Sequence, residues 1–272
     1  MLATIGFFTV TSLSIEAATV AWWRIDGSGE GVLRNSASTG ALFDATMPSG
    51  SALVEESNAP YVVTQDGATY ANAYSYAKGT ATTGAQLNNS ASATLAALFA
   101  QSEFTIEAEI RATESGLNYT SILTGLTSGP NPAWFNFGTA SDSMLAFNAS
   151  DYWDNQLQVS ASPLPQGEWL HFAAVGTREQ RGENIVLTVQ LFVNGVAIGD
   201  SQEFWDGIKE GSDYNFNVGL FPGYVSQLRI SDEALATSEF LTFSPIPEPG
   251  TLSFLTVPLL LAGIRRIRKR VA

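Results

Sequence analysis

The chain has no cysteine and a single histidine, His171, in 272 residues. The first absence excludes a disulfide framework, thiolate-ligated zinc and thiol catalysis; the second excludes any metal site built from several histidines. Charge is sparse, at 14% of residues, and positive charge sparser still: 13 Lys and Arg stand against 26 Asp and Glu, a net of −13. So acidic a surface cannot serve the phosphate backbone of nucleic acid, which is excluded as a partner. Long helical periodicity is missing too. What is present is a 45% hydrophobic, 11% aromatic composition. That is too rich in core formers for a disordered chain and sufficient for one large all-β domain or two small ones.

The charge is unevenly placed. Arg265, Arg266, Arg268, Lys269 and Arg270 crowd the last eight positions, whereas Ala18 to Pro247 holds 24 acids against 8 bases, a net of −16. An acidic body therefore ends in a basic tail. Residues 1–17 contain a short apolar run, Ile5 to Val10 and Leu13 to Ile15, closing on Ala17-Ala18. This predicts a secretory signal peptide, though one without a basic start, with a buried first strand as the alternative. Residues 244–250 form a stiff Pro-rich linker, and residues 251–272 an uncharged stretch to Ile264 followed by the basic cluster. Fourteen uncharged residues rise about 21 Å as a helix, and snorkelling arginines extend the reach toward the ~30 Å hydrocarbon core. Lys and Arg stay cytoplasmic, so the tail predicts a C-terminal transmembrane helix with the body exported.

Within the body, period-two alternation recurs. Phe104, Ile106, Ala108 and Ile110 share one face of a predicted strand; Thr105, Glu107, Glu109 and Arg111 share the other. Leu187, Val189, Leu191 and Val193 point inward before Asn194-Gly195, a strong hairpin signal, and the return strand Val196 to Ile198. Trp169 to Val175 is apolar on both faces, as a central strand between two layers would be. Frequent turn signals (Asp26-Gly27, Asp66-Gly67, Gln166-Gly167, Pro222-Gly223) separate many short strands. The fold class expected is all-β, a two-sheet antiparallel jelly-roll sandwich over residues 18–243. The Ala-, Ser- and Thr-rich stretch Ser57 to Ser102 contains strand-like pieces of no readable register.

Two resemblances attach to these residues. Pro247-Glu248-Pro249, the apolar stretch to Ile264 and the arginine-rich end resemble the PEP-CTERM sorting signal of Gram-negative bacteria. That resemblance implies recognition by an exosortase-type membrane enzyme and a destination in the cell envelope or at the cell surface. The strand series Ala21 to Gly29, Ser102 to Ala108, Gly167 to Val175, Gln190 to Val196 and Asn217 to Leu235 resembles the laminin-G-like, concanavalin A-like domains in order. It implies a single domain of that fold. In some enzymes of the fold, carboxylates in an E-x-D-x-x-E pattern on one strand hydrolyse glucans. Glu107 and Glu109 are the nearest match, at ~6.8 Å along a strand, but Arg111 and Ala112 stand where the third acid is needed. The expectation is a solvated acidic face beside Arg111 and no catalytic residue.

His171, on an apolar strand, is expected to be structural. The resemblance also implies a possible calcium ligand in Asp26, where the usual Asp of the closing strand is replaced by Ser226; an acidic loop serving solubility explains Asp26 equally. Sugar binding requires flat aromatic surface beside hydrogen-bonding side chains. The candidates are Trp134, and Trp153 with Asp151, Asp154 and Asn155; Trp205 beside Asp206 is a further one. Trp22, Trp23 and Trp169 are expected in the core. The Asn-x-Ser/Thr sites at Asn88, Asn118 and Asn148 read as polar loops. The function expected is a non-catalytic, exported, envelope-anchored module that binds an extracellular glycan or protein surface. The alternatives are a structural exopolysaccharide-matrix protein without a ligand site, or a divergent glycan-cleaving enzyme.

Overall fold

A computed structural model describes residues 19–25, 31–55, 61–63, 69–71, 74–77, 84–101, 103–113, 120–128, 134–150, 156–205, 213–219, 221 and 223–244. The signal-peptide segment, Asp26, the Asp151 to Asn155 cluster and everything beyond Ser244, Pro247 to Pro249 included, lie outside the described residues. Among the described residues no helix is long and apolar enough to cross a membrane.

Two eight-stranded antiparallel sheets face each other. The first runs in the order β16 (Val196–Trp205), β15 (Asn184–Val193), β14 (Trp169–Arg181), β9 (Phe104–Ala112), β18 (Gly223–Ser231), β7 (Tyr74–Ala77), β4 (Ala52–Glu55), with β1 (Thr19–Arg24) also paired to β18. The second runs β13 (Gln156–Pro163), β12 (Met144–Ser150), β11 (Trp134–Thr139), β10 (Ser121–Thr127), β17 (Tyr214–Val218), β8 (Ala85–Leu87), β3 (Ala45–Thr46), β2 (Val32–Leu33). A small third sheet joins β19 (Thr242–Ser244), β5 (Tyr61–Val63) and β6 (Thr69–Ala71). The all-β sandwich read from the sequence is therefore present.

Alternation supplies the core. Phe104, Ile106, Ala108 and Ile110 of β9 are fully buried between the sheets, opposite Phe135 and Phe137 of β11 and Phe147 of β12. Phe99 stacks on Phe135 at 4.6 Å, Phe216 meets both rings at steeper angles at 5.5–5.8 Å, and Phe137 lies parallel to Phe172 at 4.5 Å. Each such ring contributes roughly 1.5–3 kcal/mol by leaving water. Gly125 makes room for this cluster, since a Cβ there would come within 2.6 Å of the Phe216 ring. At the β15–β16 hairpin Asn194 and Gly195 take φ of 50° and 75°, the left-handed pair that a tight hairpin turn requires.

Two expectations are corrected here. The Ser57 to Ser102 stretch contains strands β5 to β8 and also a helix, α1 (Asn89–Gln101), where only strand-like pieces were read. Asn88 caps it by accepting from the Ala91 N–H at 2.9 Å, and Leu95 and Phe99 drive it into the core. Of the three tryptophans expected in the core, only Trp23 is there, fully buried with its Nε1 donating to the Phe43 carbonyl at 2.7 Å. Trp22 and Trp169 are half-buried on the outer face of the first sheet, because their strands place them opposite Arg229 and Arg111.

Candidate functional site

Polar side chains gather in two places, one on the outward face of each sheet. On the first sheet the cluster is ionic. Glu107 and Glu109 of β9, read from the sequence as solvated, are 0% and 1% exposed. Cross-strand register brings Ala173 and Arg229 beside Glu107, and His171 and Gln227 beside Glu109. The Glu107 carboxylate accepts from His171 Nε2 at 2.9 Å, from the Arg229 guanidinium and from the Leu241 N–H at 2.8 Å. Burial pushes the Glu107 carboxyl up, but the His171 hydrogen bond, the Arg229 and His171 charges and the Leu241 N–H together hold it below the ordinary glutamate value. Glu109 accepts from the Ser226 hydroxyl and, at 3.5 Å, from Gln227 Nε2. Arg111 lies over the Trp169 and Tyr224 rings at 5.3 and 4.5 Å.

The cover over these carboxylates is the segment after β18. Thr105 donates to the Glu233 carbonyl and accepts from Leu235 N–H, Arg229 donates to the Glu239 carbonyl, and the Phe240 ring packs on His171 and Phe192. The cluster thus clamps the C-terminal segment to the sandwich. His171, Glu107 and Glu109 are all buried in this cluster.

The second sheet differs in kind. None of its eight strands contains Asp, Glu, Lys, Arg or His. Apart from Thr127 and Thr139, its described inward positions are apolar or glycine, and outward positions line up by register into a row that crosses the strands: Thr46, Gln86, Asn217, Thr124, Asn136 and Asn148, with the backbone of Gln158 next in register. Exposure falls along the row, from Thr46 and Gln86, which are exposed, through half-buried Asn217 and Thr124 to Asn136 and Asn148, at 0% and 4%. Asn148 therefore sits on a strand and not in the polar loop its Asn-x-Ser context suggested. Asn136 Nδ2 donates to the Thr139 carbonyl at 3.3 Å and Thr124 Oγ1 to the Phe135 carbonyl at 3.0 Å. Among the described residues, Asn217 Oδ1, Asn136 Oδ1 and Asn148 Nδ2 find no hydrogen-bond partner. Each such atom costs about 1–3 kcal/mol unless water or a ligand meets it, and Trp169 Nε1 and Asp232 Oδ1 elsewhere in the fold are in the same condition.

Beside this row runs a second, in register: Asn215, Leu126 and Trp134, with Trp134 meeting Ser150 of β12. Leu126 is 50% exposed and Trp134 half-buried, which gives an apolar strip against the amides. Trp134 is the sequence candidate that the structure places in this site. Asp151, Trp153, Asp154 and Asn155 lie outside the described residues, between Ser150 and Gln156, which pair with each other next to Trp134. The amides themselves escaped the sequence reading, although each alternates with core aromatics, as in Trp134-Phe-Asn-Phe137 and Tyr214-Asn-Phe-Asn217.

Asn136 Oδ1 and Asn148 Nδ2 are buried between paired strands, so the polar groups of the row that solvent reaches are Thr46, Gln86, Asn217 and Thr124. Uncharged polar side chains beside an apolar strip suit a ligand that carries hydroxyls on a C–H surface. Among the described residues no three of His, Asp and Glu converge as a metal site, and Asp26 is outside them.

The family model of the concanavalin A-like lectin/glucanases superfamily, of the laminin G type, matches residues 78–239. The chain belongs to this superfamily. Its lectin/glucanase fold is shared with domain 4 of AbnA, an extracellular arabinanase from Geobacillus stearothermophilus, in complex with arabinotriose. That similarity has a TM-score of 0.51 and 17% identity over 82% of this chain and 97% of that one. Trypanosoma rangeli sialidase in complex with the inhibitor DANA gives 0.47 and 12% over 81% of this chain; the lectin-like chain spans 32% of the sialidase. A Ruminococcus gnavus sialidase CBM40 bound to α2,3-sialyllactose gives 0.41 and 14% over 58% and 90%. No curated protein matches the sequence.

Proposed function

We propose that this chain is a non-catalytic glycan-binding module, exported and anchored to a bacterial envelope, whose ligand lies on the outward face of the second sheet. The observation that carries the reading is the accessible part of the polar row, Gln86, Asn217 and Thr124, beside the apolar strip of Leu126 and Trp134 on a sheet whose strands carry no charged residue. Binding of a sugar by the arabinanase domain of the same fold supports it. The non-catalytic part is supported by the carboxylates: Glu107 and Glu109 are committed to His171, Arg229 and Ser226 on the opposite side of the sandwich, and the second sheet's strands supply no acid. Asp151, Trp153, Asp154 and Asn155, which lie outside the described residues, are proposed as further ligand contacts. Calcium, with Asp26 as a ligand, is a variable of the experiment.

The test is a glycan array probed with the full chain, with and without calcium, for wild type and Trp134→Ala. Sugar binding lost in the variant supports the module; silence on every glycan in both conditions turns the reading toward a structural matrix protein. The tail is proposed as a PEP-CTERM signal that routes the body to the envelope. Deleting Pro247 to Pro249 must change the mass of the retained product; an identical full-length product in both strains refutes sorting.

A further inference from the structure

We propose that residues 232–244 form a latch that opens while the sandwich stays folded, and that protonation of Glu107 opens it. The latch works whatever the second sheet binds. Its independence follows from how the segment is held. Leu235 and Phe240 are buried in a small cluster with Ala173 and Val175, against Phe192 and Ala234, on the outward face of the first sheet. That cluster shares no residue with the main core, toward which Phe104, Ile106, Ala108 and Ile110 point from the other face of β9. Among the described residues, every hydrogen bond between residues 232–241 and the sandwich runs to a strand side chain: Thr105 twice, Arg229 and Glu107. The segment's one backbone ladder, β19 with β5, belongs to the small third sheet. The ladders β14–β9 and β9–β18 are complete without it. Release therefore gives up a satellite cluster and a few side-chain bonds and leaves the main core closed, which is the condition for local opening.

The trigger follows from the chemistry around Glu107. Its buried carboxylate accepts from His171 Nε2 at 2.9 Å, from the Leu241 N–H at 2.8 Å and from the Arg229 guanidinium. All three partners are donors. A carboxylate suits them, whereas a carboxylic acid brings an O–H of its own and must displace one. His171 and Arg229 are fixed in the sheet by their strands, so Leu241 is the partner free to leave. The neighbouring charges are otherwise engaged. Glu109, on the same face of β9, accepts from Ser226 and Gln227, and Arg111 lies over Trp169 and Tyr224. On the segment, the Glu239 carboxylate accepts from the Ala236 N–H, and Asp232 and Glu233 stand at its start. Protonating His171 adds positive charge beside Glu107 and tightens the latch, so opening belongs to the carboxylate range and not to the imidazole range. Glu107 is held below the ordinary glutamate value. The latch is thus closed above about pH 4.3 and opens as pH falls through the lowered folded value. Once open, its thirteen residues add up to ~45 Å of reach to any tether beyond them.

The test is hydrogen exchange by mass spectrometry on the full chain from about pH 7 to about 3.5, corrected for the intrinsic pH dependence of exchange, with circular dichroism alongside. Peptides covering residues 232–244 are expected to lose protection at least tenfold below about pH 4, while those covering β9 and β14 keep theirs. In Glu107→Gln, which cannot ionise, the same peptides should exchange at least tenfold faster than wild type at neutral pH, with no further loss on acidification. Protection that falls in step across all peptides overturns the separate latch. A segment that stays protected at about pH 3.5 overturns the trigger, as does protection lost between about pH 7 and 5.5, where a histidine titrates. Should Glu107→Gln fail to fold, the wild-type pH series decides by itself.

Discussion

Replacing Asn136 and Asn148 together by leucine separates a functional amide row from a structural one. Leucine repeats the branching of the asparagine side chain with methyls in place of oxygen and nitrogen, so the volume in the sheet is nearly conserved. The change removes two open polar atoms, Asn136 Oδ1 and Asn148 Nδ2, each costing about 1–3 kcal/mol. Against that stands the bond from Asn136 Nδ2 to the Thr139 carbonyl, long at 3.3 Å and worth ~1 kcal/mol or less. The expected net is a stabilisation of about 2 kcal/mol, which for a domain of this size raises Tm by ~4–8 °C. The assay is thermal unfolding of the full chain followed by circular dichroism, paired with glycan affinity on the same preparation. A more stable protein with weakened glycan binding is the outcome expected from the proposed function, because stability is forgone where function needs it. A fall in Tm would falsify the reasoning, since it would show that the two asparagines are held for the fold.

Other consequences are equally direct. Glu107 titrates below the ordinary glutamate value in the folded chain; the stabilisation it supplies is complete above that ordinary range, about 4.3, and is lost as pH falls through the lowered folded value. Tm should therefore hold from pH 7 to about 5 and decline below about 4; an unchanged Tm at pH 3 refutes the linkage. Glu107→Gln strands the Arg229 charge and should cost about 3–5 kcal/mol in chemical denaturation at pH 7, with no change in glycan affinity once folded. Phe240→Ala, which removes the ring packed on His171 and Phe192, should cost about 3–4 kcal/mol and expose the segment after β18 to proteases; resistance equal to wild type contradicts the clamp. Gly125→Ala pushes a methyl into the Phe216 ring and should destabilise by about 1–3 kcal/mol, visible as a lower urea midpoint.

The sandwich was readable in the sequence wherever one strand carries its own pattern. The two faces of β9, the inward set of β15 and the Asn194-Gly195 turn are local facts, and each recurs in the structure. What depends on neighbours was not readable. Glu107 and Glu109 read as solvated because alternation shows which face a residue takes and not what covers it; Leu241 and Phe240, more than 130 residues away, make the difference. Helix α1 was hidden by its composition, since Ala and Ser on every side leave little apolar stripe to detect. The amide row draws one residue from each of six strands scattered from Thr46 to Asn217, and only register assembles it. The compositional trace was available all the same: these strands are free of charge in a chain otherwise rich in acids.

The clamp on the first sheet has a mechanical side. Any tether that continues past Ser244 leaves the domain through β19, immediately after Leu241 and Phe240. A pull on that tether meets the pairing of β19 with β5 first, and then the Leu241 hydrogen bond to Glu107 of β9 and the Phe240 ring. The buried ionic cluster on β9 thus lies between such a tether and the rest of the sandwich.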